Sequence, residues 1–316
     1  MSRIILLSMF ISSLLMGEIK MPLKQYIASG AVTDMLVSGS SIYSATDAGV
    51  VDIFDIKNKK IIKQIKLPQI EDFMGDRVES KIYSVDVLGK QTLILSQAKQ
   101  GFRRVHIYKD DKLECIIPYS KNLTIAKAKF IDKDNILLGM LGSELLSYNI
   151  KTKKQNWLEQ VSGAKFSDFA IDEAKSEVVV ADESGSLKIH SIKDGSLLKL
   201  LEGQNLDNVF QVAYKNGIIA TAGQDRRVVI YAYKFNSAYY KSSKFLIYSV
   251  GLSPSGKLAA YSSDEENNIT VFNTITKSVL GRFGGNKMTI TKILFLDENN
   301  ILVSSDDKII NLYKIK

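Results

Sequence analysis

The sequence predicts an all-β fold: a seven-bladed β-propeller of four-stranded antiparallel blades, with an N-terminal strand closing the last blade. Three observations carry this. Alternating apolar strands ending in an aromatic or its substitute recur seven times, as GVVDIFDI, FRRVHIYK, ELLSYNIK, SLKIHSIK, RVVIYAYK, NITVFNTI and KIINLYKI. One equivalent position in each falls at Phe54, Tyr108, Tyr148, His190, Tyr231, Phe272 and Tyr313, giving intervals of 54, 40, 42, 41, 41 and 41. The last unit stops after its third strand, while EIKMPLKQYIAS at 18–29 stands unassigned before the first.

Within each period the grammar repeats: an apolar strand, a short turn, a second strand, a turn rich in Asp, Ser and Gly, a third strand and a more variable fourth. Blade six reads IYSVGLSP, KLAAYSS, NITVFNT and SVLGRFG in turn. Period-two alternation bounded by regular turn signals marks antiparallel strands, and units of about 40–45 residues with four strands are propeller blades. Radial closure leaves few open sheet edges, so residues 18–29 are expected beside the third strand of blade seven.

Ahead of the propeller, MSRIILLSMFISSLLMGE joins a positive charge at Arg3 to an apolar run from Ile4 to Met16. That run is shorter than the ~20 residues a spanning helix needs, and it ends at Gly17. It reads as a cleaved signal peptide over 1–17, followed by the propeller over 18–316. The expected location is the periplasm, with no membrane anchor after cleavage. No Cys near the cleavage point offers a lipid attachment.

Composition excludes several function classes. With 45% hydrophobic and 24% charged residues and 4 Pro, the chain carries no signature of disorder. Its net charge of +8 comes from lysine, 35 Lys against 7 Arg, spread without basic-aromatic clusters, so nucleic acid is not an expected partner. The single cysteine, Cys115 in LECIIP, reads as an inert residue of a buried strand. His106 and His190 fall in third strands of different blades and read as core residues, without metal-ligand spacing. Neither a metal nor a cofactor is expected, and the glycines of GSG, GQD and FGG sit in turns instead of a phosphate-binding loop.

Carboxylates at Asp34, Asp86 and Asp168 occupy first strands, which line the central channel. They sustain one enzymatic alternative, a hydrolase or lactonase with a metal in the channel. A wet channel also accommodates such residues without catalysis, and Lys129 and Lys292 stand in the corresponding strands of other blades.

The arginines are more selective. Arg77, Arg103, Arg104, Arg226, Arg227 and Arg282 all map near one face, where second-to-third strand turns and blade-to-blade connections lie. Arginine favours bidentate contacts and interfaces, so these residues form a candidate docking face, with local pairing to acids such as Glu79 or Asp225 as the alternative. On that face LPQIEDFMGDRVES at 67–80 lengthens the connection between blades one and two. Connections longer than ~12 residues are often functional. This one carries Phe73 and Met74 among Glu71, Asp72 and Asp76, an arrangement suited either to contacting a partner or to plugging the channel mouth.

The strand rhythm resembles degenerate WD40 and quinoprotein-like propellers. The WD dipeptide position holds Phe54-Asp55, Tyr148-Asn149, Tyr231-Ala232 and Phe272-Asn273. YNIKTKKQNW resembles a quinoprotein repeat, but Trp157 is the only Trp, which removes the case for a quinone cofactor. IEDFMGDRVESKIYSVDVL with ILSQAKQGFRRVHIY resembles the exported WD40-like accessory proteins encoded with bacterial periplasmic nitrate reductases, the L component of the Nap system. That resemblance implies a non-catalytic scaffold that assists the maturation or activity of the reductase through contact with one of its components; the propeller itself is expected to be a monomer. A general envelope assembly scaffold is the other binding-protein alternative.

Overall fold

A computed structural model describes residues 18–316. The signal peptide expected over 1–17 lies outside the described residues. Seven sheets follow one another around a ring, each a meander whose first strand lies innermost. Blade one comprises Val32–Ser38, Ser41–Thr46, Val50–Asp55 and Ile61–Lys66; blade four comprises Phe166–Ile171, Glu177–Asp182, Leu187–Ser191 and Leu197–Leu201.

The alternation seen in the sequence becomes packing between blades. Because successive side chains leave a strand on opposite faces, each inner strand supplies apolar groups to both neighbours. Seven separate apolar clusters result, each between two adjacent blades. The repeat-ending position enters six of them, His190 being the exception, and Phe54, Tyr148, His190, Tyr231, Phe272 and Tyr313 are all buried. Tyr108 is the partly exposed member, its hydroxyl donating to Asp111 at 2.7 Å and its ring lying under Lys63.

The ring closes as expected. Lys24–Ile27 pairs antiparallel with Ile309–Lys314, Tyr26 standing opposite Ile310. Tyr26 is buried, meets Phe54 edge-on with ring centroids 5.6 Å apart, and donates from its hydroxyl to the Ile56 carbonyl at 2.8 Å. One strand thus completes blade seven and packs on blade one. The segment is not one strand, however. Ile19–Lys20 runs parallel to Arg282 and Phe283 and adds a fifth strand to blade six. Pro22, which has no N–H to continue a ladder, separates the two pairings.

One expectation is corrected, and one connection gains a defined structure. Cys115 is exposed, because LECII lies in Lys112–Ile117, the outermost strand of blade two, where one side of the sheet lacks a neighbour. Only Ile116 and Ile117 of that run are buried. The long connection at 67–80 is not an irregular loop: Ile70–Glu71 and Arg77–Val78 pair into a small antiparallel hairpin. Asp72 builds its turn, one carboxylate oxygen accepting the amides of Met74 at 2.8 Å and Asp76 at 3.0 Å. Gly75 supplies the positive φ, +90°, that the reversal needs.

Candidate interaction face and central channel

The hairpin is a fixed projection. Ile70 is buried at its base, Glu71 pairs with Lys99 at 2.6 Å, and Arg104 donates to the Pro68 carbonyl at 2.8 Å and the Ser80 hydroxyl at 3.2 Å. At the tip Phe73 is 87% exposed and Met74 75% exposed. Neither lines the channel, so the channel mouth is not plugged by this pair. Asp76 and Arg77 are exposed beside them, Arg77 standing opposite Glu71 in the hairpin register. A large ring and a flexible thioether held away from the core on a built turn are what an adaptable contact requires.

The predicted residues do not form one patch. Glu71, Asp72, Phe73, Met74, Asp76, Arg77 and Arg104 belong to the hairpin and its footing on blade two. Arg103, which opens the third strand of that blade, turns toward the channel mouth: its guanidinium lies 3.7 Å from the Tyr83 ring centroid, and Nη1 donates to the Tyr83 hydroxyl at 2.9 Å. Burial holds the Arg103 and Arg104 guanidinium groups below the usual arginine range. Arg226 and Arg227 stand at the corresponding turn of blade five, three blades around the ring. Arg226 is exposed in a left-handed turn conformation, φ +63°. Arg227 lies over the Tyr240 ring at 4.0 Å and donates to the Gln204 carbonyl at 2.8 Å. Asp225 accepts from the Arg227 backbone N–H, at 3.0 Å. Arg282, in the fourth strand of blade six, pairs with Asp264.

The channel carboxylates have a definite task. Asp34, Asp86 and Asp168 each accept an amide hydrogen from the next blade's first strand, from Val85 at 3.1 Å, Phe130 at 2.8 Å and Val212 at 3.1 Å. Gln211 does the same for Val250 at 3.1 Å. Elsewhere hydroxyls replace them: Thr33 donates to the Ile82 carbonyl at 2.6 Å and Thr291 to the Val32 carbonyl at 2.9 Å. These bonds satisfy the inner edge of the ring, where each sheet would otherwise present unpaired backbone groups.

Lysines neutralise the acids. Lys127 meets Asp168 at 2.5 Å, Lys129 lies 3.8 Å from Asp34 and 3.6 Å from Asp86, and Lys292 lies 3.4 Å from Asp34. Burial alone would raise the Asp34 carboxyl, but Lys129, Lys292 and Lys127, with the Val85 N–H, hold it at about 2. Burial lowers Lys127, and repulsion from Lys292 and Lys129 acts the same way, so it falls to about 8 despite Asp168. Lys129, though buried, is raised by Asp86 and Asp34.

The histidines are structural groups here. His190 Nδ1 is 2.8 Å from the Gly195 carbonyl inside blade four, and burial followed by the charge of Arg104 lowers His106 to about 4. Among the described residues no group of three or more His, Cys, Asp or Glu side chains converges as metal ligands. Trp157 links blades, its indole N–H donating to the Ile192 carbonyl of the next blade at 3.1 Å.

Lys127, Gln211, Tyr83 and Lys99 were not singled out from the sequence. Lys127 was detectable in principle, since IAKAKF places it two residues from Lys129 and hence on the same side of the strand. The footing supplied by Lys99 was not, because it depends on pairing across 28 residues.

No family model and no curated protein matches this chain. Solved structures match in large number, 1780 chains, a breadth that identifies a common architecture and no single activity. One is the β-propeller domain of Cps50 (Swd1) from Myceliophteria thermophila. It superposes with a TM-score of 0.74 over 93% of this chain and 99% of its own, at 11% identity. The chain therefore has a WD40-like β-propeller fold.

Proposed function

We propose that this propeller is a non-catalytic docking scaffold, exported to the periplasm, whose hairpin between blades one and two engages a protein partner, a component of a periplasmic nitrate reductase. The observation that carries the docking reading is the Phe73–Met74 tip: two large apolar side chains exposed on a hairpin whose base is held by Ile70, Glu71–Lys99 and Arg104. A rigid footing lowers the ordering cost of association, and an aromatic inserted into a partner pocket typically contributes ~2 kcal/mol or more. The partner class rests on the resemblance of residues 70–88 and 94–108 to the nitrate reductase accessory proteins, and the compartment rests on the leader pattern at 1–17. Against a hydrolytic channel stands the geometry of Asp34, Asp86 and Asp168, each committed to an amide and a lysine.

Affinity capture with the tagged protein, from periplasm of cells grown with and without nitrate, tests this. Recovery of a reductase component by the wild type, and at least tenfold less by the Phe73→Ala/Met74→Ala variant, is the expected result. Equal recovery by both would overturn the hairpin as the docking element. Charge reversal of Arg103, Arg104, Arg226 and Arg227 together examines the wider face; unchanged capture and reductase activity would remove the arginines from it.

A further inference from the structure

Below the ring of inter-blade bonds the channel widens into a cavity of about 420 Å³, and above it lies a smaller one of about 140 Å³. Lys127, Lys292 and Gln211 line both, so they form the neck between the two. The larger cavity is of ordinary ligand-site size, and the partly exposed Val87, Ile171 and Phe295 are among the apolar residues that line it.

At the neck each aspartate already faces an amide and an ammonium, and ammonium donors are left over. Asp34 takes Val85 N–H on one oxygen and Met35 N–H on the other; Asp168 takes Val212 N–H and the Lys127 ammonium. Asp86 takes Phe130 N–H on one oxygen and faces Lys129 with the other. Each ammonium carries three N–H donors. Lys127 spends two, on Asp168 and the Phe169 carbonyl at 2.8 Å, and Lys129 spends one, on the Val85 carbonyl at 2.7 Å. Among the described residues Lys292 makes no hydrogen bond to a protein atom, and its ion pair is with Asp34, at 3.4 Å. Five lysines line the larger cavity, and at the neck Lys127, Lys129 and Lys292 are matched by Asp34, Asp86 and Asp168. Burial is the main reason that Lys127 falls to about 8, and the neighbouring Lys292 and Lys129 ammonium groups push it the same way.

The geometry points to a ligand site in the channel for a small organic monocarboxylate, its carboxylate at the neck between Lys292 and Lys127 and its apolar body in the larger cavity. A carboxylate brings two acceptor oxygens to donors that lack them and relieves the lysine repulsion. The apolar walls favour such a ligand over inorganic phosphate, which has no part to place there. This site is independent of the hairpin and of its partner.

Hexanoate serves as the probe, with hexylammonium and inorganic phosphate as comparators, in calorimetric and NMR titrations of the full propeller. Saturable hexanoate binding, at least tenfold tighter than either comparator and weakened at least tenfold by Lys292→Met, is expected. Should Lys292→Met fail to fold, discrimination between hexanoate and hexylammonium by the wild type still decides the matter. No saturable response to hexanoate, an equal response to hexylammonium, or hexanoate binding unchanged in a folded Lys292→Met protein would each overturn the proposal.

Discussion

Asp34 of blade one accepts the backbone N–H of Val85 of blade two at 3.1 Å, and the same carboxylate faces the ammonium groups of Lys129 from blade three and Lys292 from blade seven. One side chain therefore ties four of the seven blades together at the channel. It also makes the inner ring dependent on a buried charge. Removing one member of such a group costs far more than the group contributes over an apolar replacement, because the remaining charges lose their partner at a largely buried site.

Asp34→Ala should accordingly lose roughly 3–5 kcal/mol of stability, a large part of the ~5–15 kcal/mol typical of a folded domain. Chemical denaturation with an unchanged m-value would show this as a lower midpoint. A loss below about 1 kcal/mol would mean that water already screens the cluster.

The same residue sets an acid limit. Its carboxyl titrates at about 2 in the folded protein against an ordinary 3.8, so the native state binds fewer protons than the unfolded chain between those values. The stabilisation is complete above about pH 4 and disappears as pH falls toward 2, amounting to about 2 kcal/mol. Unfolding free energies measured from pH 5 to pH 2 should fall along this limb, and Asp34→Asn should flatten it. An identical slope in the variant would assign the acid limb to other carboxylates.

Closure of the ring rests on Tyr26, buried between blades seven and one. Tyr26→Ala should cost roughly 3–5 kcal/mol through cavity formation, whereas Tyr26→Phe, which loses only the bond to the Ile56 carbonyl, should cost about 1 kcal/mol. Thermal unfolding of both variants separates packing from hydrogen bonding. Near-equal losses would show that the hydroxyl, not the ring, secures the closing strand.

How much of this was legible beforehand follows from which interactions are local. The seven repeats were readable because a strand's alternation and its turn residues are written in consecutive positions, from Phe54 to Tyr313. Closure at 24–27 was readable because the last unit lacked a strand. The extra pairing of Ile19–Lys20 with blade six was not, since a two-residue parallel ladder has no periodic signal and depends on where Pro22 redirects the chain. Cys115 was misplaced because apolar neighbours do not reveal whether a strand is innermost or outermost in a blade. The repeat phase groups the arginines near one face, but their separation into blade two and blade five sets follows only from counting blades around the ring. What Arg103, Arg104 and Arg227 touch was beyond the sequence, because Tyr83, Pro68 and Gln204 are neighbours only through turn geometry.

Arg104 yields the prediction that separates footing from contact. Its guanidinium joins the Pro68 carbonyl, at the start of the hairpin, to Ser80, at the end. Arg104→Ala removes those bonds without altering Phe73 or Met74. Global stability should fall by about 1 kcal/mol, since charged hydrogen bonds to an exposed carbonyl and a part-buried hydroxyl are lost. Local opening should rise more visibly: amides of residues 70–78 should exchange roughly tenfold faster, while those of the inner strands follow only the global change. Hydrogen exchange read peptide by peptide checks this, and unchanged protection across 70–78 would show that Ile70 and the Glu71–Lys99 pair hold the hairpin without Arg104.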